Sequence, residues 1–210
     1  MPAALLLCSL GVLAAGAWLV CPAGCGVPAP DVAGLDLAQR WRTPLLDGLF
    51  MAVTWLGSLW LLLPIALLLA WRWRQQARPA AWFVPLALLG STLLAHAAKL
   101  LVNRPRPDLH PMLVDLPPDA SYPSAHTMQI TAIVLAWLLQ PGTPLAGRPP
   151  WVALLLGLVV GLVAASRIHL QVHFPTDVLA GLGAAVCWVL ALHRMAGRAD
   201  RSGRLPEGSR

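Results

Sequence analysis

Three short polar stretches interrupt a chain that is otherwise close to hydrocarbon: Lys99 to Pro107 (KLLVNRPRP), Tyr122 to Thr127 (YPSAHT) and Ser166 to Asp177 (SRIHLQVHFPTD). Lys99, Arg106 and Arg167 supply permanent positive charge, and the guanidinium groups present donor forks that match the oxygens of a phosphate. Ser124 stands where it can cap a helix. The free backbone N–H groups of Ala125 and His126, at the positive end of that helix, then form an anion site. His173 and Asp177 are four residues apart, with Pro175 between them suited to a first helical position. The carboxylate can therefore reach the imidazole and fix one ring nitrogen as a donor, leaving the other as nucleophile or base. His126, in the first turn of an apolar helix, is a second group able to move a proton.

This set suits hydrolysis of a phosphate ester. The uncatalysed reaction is slow enough that an enzyme must supply on the order of 20 kcal/mol or more. A nucleophilic histidine divides it into two easier steps, and the second histidine can protonate the departing alkoxide. Lys99, Arg106 and Arg167 would neutralise the charge that magnesium meets elsewhere, so no metal and no cofactor is required. Plainer readings exist for single residues: Lys99 and Arg106 as basic side chains snorkelling from a helix end, Ser124 and Asp177 as ordinary caps. His169 could join His173 and Asp177 as a metal ligand, but Pro175 breaks the helical register this needs and the nearby cations oppose a metal ion. His169 is read as an interfacial or supporting residue.

The elements that must position these residues follow from composition. Of 210 residues, 58% are hydrophobic and 11% charged, with a mean hydropathy of +0.67, which excludes an ordinary soluble domain. The net charge of +6 has no aromatic-interleaved basic stripe, so nucleic acid is not an expected partner. Six spanning segments can be drawn: Ala3 to Val20, Leu45 to Trp71, Ala80 to Leu101, Ala125 to Leu139, Trp151 to Arg167 and Pro175 to Leu192. The first lacks a basic leading region and is read as a retained helix rather than a signal peptide. Pro64 and Pro85 are candidate kink sites. The fold expected is all-α, a six-transmembrane-helix bundle forming one polytopic membrane domain over residues 1–195, with a short polar cytoplasmic tail at 196–210. Nine basic residues, Arg72, Arg74, Arg78, Arg148, Arg194, Arg198, Arg201, Arg204 and Arg210, fall at one side of such a bundle and six at the other. That split predicts both termini in the cytoplasm and the three polar clusters together on the extracytoplasmic side of the cell membrane. Trp71, Trp73, Trp82 and Trp151 suit interfacial anchors. Cys8 and Cys187 read as small hydrophobes; Cys21 and Cys25 read equally as a local disulfide or as free thiols.

On these motifs the sequence resembles the type 2 phosphatidic acid phosphatase family, which includes undecaprenyl diphosphate phosphatases and shares its active site with vanadium haloperoxidases. The family signature K-x6-R-P, P-S-G-H and S-R-x5-H-x3-D is matched by Lys99 through Arg106 and Pro107, by Pro123-Ser124-Ala125-His126, and by Ser166-Arg167 through His173 to Asp177. The resemblance covers about residues 50 to 190. It implies that His173 attacks phosphorus to form a phosphohistidine, that Asp177 orients it, and that His126 protonates the leaving group. It also implies that Lys99, Arg106, Ser124, Ala125 and Arg167 bind the phosphate oxygens. Ala125 departs from the commoner glycine, and its methyl group could crowd a close backbone contact with phosphate. The implied function is a metal-independent membrane lipid phosphatase, with undecaprenyl diphosphate as the favoured substrate and phosphatidic acid or phosphatidylglycerophosphate as rivals. The partners are that lipid and the bilayer. The alternatives are a lipid phosphotransferase using the same intermediate and a non-catalytic lipid transporter.

Overall fold

The computed structural model describes residues 2–20, 27–76, 80–115, 119–141 and 148–202, with side chains through residue 197. In chain order the helices are α1 (Pro2–Val20), α2 (Ala29–Arg40), α3 (Pro44–Thr54), a single 3₁₀ turn at Trp55–Gly57, α4 (Leu59–Gln75), α5 (Phe83–Val102), α6 (Ala125–Leu138), α7 (Pro150–His169) and α8 (Pro175–Ser202). Among the described residues α1, α5, α7 and α8 are long and apolar enough to cross a bilayer. The pair from Pro44 to Gln75, bent by 42°, brings the number to five when taken as one span, and α6 is a shorter apolar helix of 14 residues. Large apolar side chains face outward, with Trp60 86% and Leu101 85% exposed, as a lipid-facing surface requires.

Small residues set how closely the helices pack. α6 lies at the centre, against α5, α7 and α8, and buries Ala132 and Ala136; α8 buries Ala184, Ala185 and Ala191. In lipid, where apolar surface gains little by leaving the solvent, close approach of this kind and interhelical hydrogen bonds hold a bundle together. α1 lies along α8, where Ser9 Oγ donates to the Ala184 carbonyl at 2.9 Å and the Cys8 and Cys187 thiols meet at 3.0 Å. Trp188 Nε1 on α8 donates to the Ala87 carbonyl on α5 at 2.9 Å.

The helices add detail to the expected layout. Residues 45–71 form two helices rather than one, broken at Trp55–Ser58, where Ser58 Oγ accepts from the Trp60 N–H and restarts the chain as α4. Pro64 lies inside α4 without ending it, and Pro85 is third in α5, where its missing N–H would have no partner anyway. Trp73 is buried, whereas Trp71, Trp82 and Trp151 are exposed. α8 carries helix through Ser202, into the stretch expected as a polar tail. A further helix, α2, packs over the ends of α7 and α8 through buried Asp31 and Leu35. Cys21 and Cys25 lie outside the described residues.

The buried Tyr122 hydroxyl donates to the Leu13 carbonyl at 2.7 Å and ties α1 to the chain entering α6. A Cβ on Gly16 would fall on that hydroxyl. Gly16→Ala should therefore lower the thermal midpoint of the detergent-solubilised protein by several degrees, a loss of about 1–2 kcal/mol. Gly11→Ala, whose methyl group meets nothing within 4 Å, should leave the midpoint unchanged or slightly raised. Equal effects of the two would mean that Tyr122 is not seated against α1.

Candidate active site

Each polar stretch is delivered by a helix end. α5 stops at Asn103, which adopts a left-handed conformation (φ 47°) and donates its N–H to the Lys99 carbonyl at 2.9 Å. Lys99 is thus in the last turn, and Arg104-Pro105-Arg106-Pro107 leaves the helix at once. The loop returns to α6 with the Ser121 N–H donating to the Arg104 carbonyl at 2.7 Å. α7 ends at His169, and the Val172 and His173 N–H groups both turn back to the Arg167 carbonyl at 3.2 Å. α8 begins at Pro175, as its spacing predicts, and Asp177 accepts from the Phe174 N–H at 3.0 Å, so the capping role for Asp177 is realised. Gly181 lets α8 approach the start of α6, because a Cβ there would sit 2.9 Å from the Ser124 carbonyl oxygen.

Capping is not all that Asp177 does. Its Oδ2 lies 3.5 Å from His173 Nδ1 and accepts from Ser121 Oγ at 2.5 Å, and Ser121 Oγ is itself 3.4 Å from that ring nitrogen. Its Oδ1 accepts from Arg104 Nη1 at 2.5 Å. Arg104 also donates to Asp31 Oδ2 on α2 at 2.7 Å and stacks 3.8 Å above the Phe174 ring. Asp31 in turn accepts from the Thr176 N–H at 2.9 Å and from its hydroxyl at 2.7 Å. All these groups except Thr176 are buried. With Nδ1 facing Asp177, Nε2 of His173 is the nitrogen turned to the cations, 3.5 Å from Arg106 Nη1. Burial, reinforced by the positive charges of Arg167 and Arg106, pulls the His173 imidazole down to about 3 despite the Asp177 carboxylate. The imidazole is thereby held neutral across the physiological range.

His126 faces the same cluster from the first turn of α6 and is partly exposed, and its ring makes no hydrogen bond to the described residues. Arg167 Nη1 donates to Thr54 Oγ1 at the end of α3 at 2.5 Å, while its buried Nε has no partner among the described residues. Lys99 and Arg106 do not stand unpaired. Both pair with Asp119, whose Oδ2 is 3.1 Å from Lys99 Nζ and whose Oδ1 accepts from Arg106 Nη2. Burial raises the Asp119 pKa, but the bonds and charges of Arg106 and Lys99 outweigh it and hold the carboxyl below its ordinary value. Ser124 is the N-cap residue of α6, yet its Oγ accepts from Thr127 Oγ1 at 3.0 Å and caps no backbone N–H. Ala125 opens the helix beside it. His169 turns away from His173: its Nε2 pairs with Asp47 on α3 at 2.8 Å and its ring lies 4.4 Å from Phe50. Among the described residues no group of three or more His, Cys, Asp or Glu is placed to hold a metal ion.

The sequence reading therefore names a set that the fold does bring together, and it misses Asp31, Arg104, Asp119, Ser121 and Thr54. Arg104 carried a signal, since it shares the RPRP run with Arg106. The others are single polar residues whose partners lie far along the chain.

A neutral, carboxylate-backed imidazole walled by cations at one end of a helical membrane bundle defines a class of integral-membrane hydrolases for phosphorylated substrates. The PAP2 superfamily model matches residues 80–201, more than half of the chain. The chain belongs to that superfamily and is a membrane lipid phosphatase. It is 31% identical over 159 residues to phosphatidylglycerophosphatase B of Bacillus subtilis, covering 74% of this chain and 77% of that one. It is 36% identical over 124 residues to decaprenylphosphoryl-5-phosphoribose phosphatase of Mycolicibacterium smegmatis, covering 56% and 61%. The crystal structure of the PAP2-type phosphatidylglycerolphosphate phosphatase from Bacillus subtilis superimposes with a TM-score of 0.74 at 28% identity, over 96% of both chains.

Two measurements test the geometry. Asp31→Asn leaves Arg104 with one buried carboxylate instead of two and should cost about 2–4 kcal/mol of stability. Asp36→Asn, which loses only a half-exposed pair with His110, should cost less than about 1; equal costs would mean that the buried network does not form. The second uses pH. His173 has a folded pKa of about 3, below its ordinary 6.5. The stability it contributes is complete above about pH 6.5 and is lost as pH falls toward 3, by at most about 1.4 kcal/mol per pH unit. Asp119, also depressed, adds to the loss only below its ordinary 3.8. His173→Gln should flatten the slope between pH 6.5 and 4, and an unchanged slope would show an imidazole that titrates normally in the folded protein.

Proposed function

We propose that the chain hydrolyses the terminal phosphate of a membrane lipid through a phosphohistidine formed on His173, with the site on the extracytoplasmic side and both termini in the cytoplasm. The observation that carries this reading is the buried His173, whose Nδ1 is turned to Asp177 while Nε2 is turned to the cations. Nε2 attacks phosphorus, the bond from phosphorus to the lipid oxygen breaks, and His126 gives that oxygen a proton. Water then attacks the phosphohistidine, His126 takes the proton back, and inorganic phosphate leaves with His173 restored. Lys99, Arg106 and Arg167, with the N–H groups of Ala125 and His126 beside Ser124, meet the charge on the transferring group. That is the part a metal ion plays in other phosphatases, so turnover should withstand EDTA.

A lipid substrate is supported by a cavity of about 390 Å³ between α4, α6 and α7, lined by Ile130, Val134 and Trp137 of α6 and by Val159, Leu156 and Val152 of α7. Residues 126, 130, 134 and 137 lie on one face of a helix, so the cavity continues the His126 face into the bilayer. Extracytoplasmic placement is supported by Arg72, Arg74, Arg148 and Arg194, which the helix directions put at the end of the bundle away from His173. The sequence favours undecaprenyl diphosphate because it suits the compact six-helix chain with an outward site that the sequence predicts. A phosphatidylglycerolphosphate phosphatase has the same layout over 96% of its length, so that argument no longer separates the substrates, and the preference moves to phosphatidylglycerophosphate.

The test is phosphate release by the detergent-solubilised protein, with EDTA throughout, from phosphatidylglycerophosphate, undecaprenyl diphosphate and phosphatidic acid side by side. Wild type should be active, with phosphatidylglycerophosphate turned over fastest. His173→Ala should lose about a thousandfold or more and His126→Ala about a hundredfold or more. Activity that survives His173→Ala, or that EDTA abolishes, would refute this mechanism.

A further inference from the structure

Arg106 has few donors to offer an incoming phosphate. Its Nη1 donates to the Val172 carbonyl at 2.7 Å, its Nε to the Asp119 carbonyl at 3.1 Å, and its Nη2 to the Asp119 carboxylate. Lys99 is similarly engaged, with the Ala120 carbonyl and Asp119 Oδ2. Of the three cations, Arg167 keeps a buried N–H without a partner among the described residues. Two of the three cations assigned to phosphate are therefore bridged by one carboxylate, and that carboxylate, 43% exposed, is the removable part of the arrangement. The Asp119 and Ala120 carbonyls already fasten this loop to Arg106 and Lys99, so the Asp119 side chain is not needed to hold the loop down.

Resting on the phosphatase reading above, we infer that Asp119 is a specificity-determining residue: its carboxylate occupies the Lys99–Arg106 subsite and yields it to doubly charged terminal phosphates, not to singly charged phosphodiester headgroups. The reason is Coulombic. Exchanging one monoanion for another between the same two cations leaves the product of charges unchanged, so the newcomer gains nothing for its desolvation. A phosphate monoester, or the terminal phosphate of a diphosphate, carries close to two charges near neutral pH and doubles that product. The problem this solves is set by location. A cationic pocket facing a bilayer meets far more singly charged phosphodiester lipid than substrate, and a resident monoanion cancels the advantage of that excess.

The experiment uses mixed micelles of a zwitterionic detergent, the best substrate of the assay above, and increasing mole fractions of phosphatidylmethanol, a singly charged phosphodiester that is neither substrate nor product. For wild type the apparent KM should not move. For Asp119→Asn it should rise by about tenfold or more with unchanged kcat, the size expected when a charge-assisted contact becomes available to a competitor. A readout independent of turnover is the thermal midpoint, which phosphatidylmethanol should raise for Asp119→Asn and for Asp119→Ala but not for wild type. Competition that is equal in wild type and variant, or absent from both, overturns the inference. An inactive wild type would count against the phosphatase reading instead, and the midpoint shifts would still decide the role of Asp119.

Discussion

The site depends on one buried charge, the Arg104 guanidinium held between Asp31 and Asp177. An ion triad out of water gains little net stability, because desolvating the charges costs about as much as their attraction returns. What it fixes is arrangement. Asp31 belongs to α2, Arg104 to the loop leaving α5, and Asp177 to the first turn of α8, so three distant segments must converge before both carboxylates are matched. Loss of Arg104 would leave two uncompensated carboxylates in a low-dielectric interior, and that penalty locks the convergence. Because Arg104 takes one carboxylate oxygen of Asp177, the other is left for Ser121, the Phe174 N–H and the face of His173.

Around this triad the remaining charges form a second layer with a different job. The inner layer is buried and mutually satisfied. The outer one has Lys99 and Arg106 sharing a half-exposed Asp119, and Arg167 with an unused N–H. Solvent exposure is what separates their behaviour: a buried pair resists exchange, whereas a carboxylate at the rim can be replaced by another anion. His173 sits where the layers meet, backed by the inner and facing the outer, and the fold thereby keeps its imidazole neutral beside three cations.

Much of this was legible in the chain. The motif residues could be named because phosphoryl chemistry demands cations, a helix N-terminus and a carboxylate-backed histidine at short, fixed spacings, and such spacings survive in sequence. The long helices could be placed because a bilayer requires long apolar runs. What was not legible is tertiary. The break at Trp55–Ser58 lies inside an unbroken apolar run, and it shows only as Ser58 turning back to cap α4 while Thr54 meets Arg167. α2 is too short and too polar to read as a span, and its purpose is carried by Asp31, whose partners are more than seventy residues away. Asp119 looked like a loop acid among several, and only the fold sets it between Lys99 and Arg106.

The asymmetry between the two histidines bears on hydrolysis against transfer. His173 is 2% exposed and His126 is partly open, one helical turn before Ile130 at the wall of the apolar cavity. In an in-line displacement the leaving oxygen lies opposite the attacking nitrogen, which in the proposed roles puts the lipid oxygen on the His126 side. When the lipid withdraws into the cavity, the place it vacates is the one position in line with the new N–P bond and within reach of a base. Water entering there meets the same imidazole that has just given up its proton. A second lipid would have to return along the cavity to the same point with its hydroxyl foremost, against water that arrives from the open rim, so the geometry favours hydrolysis wherever water reaches His126 first.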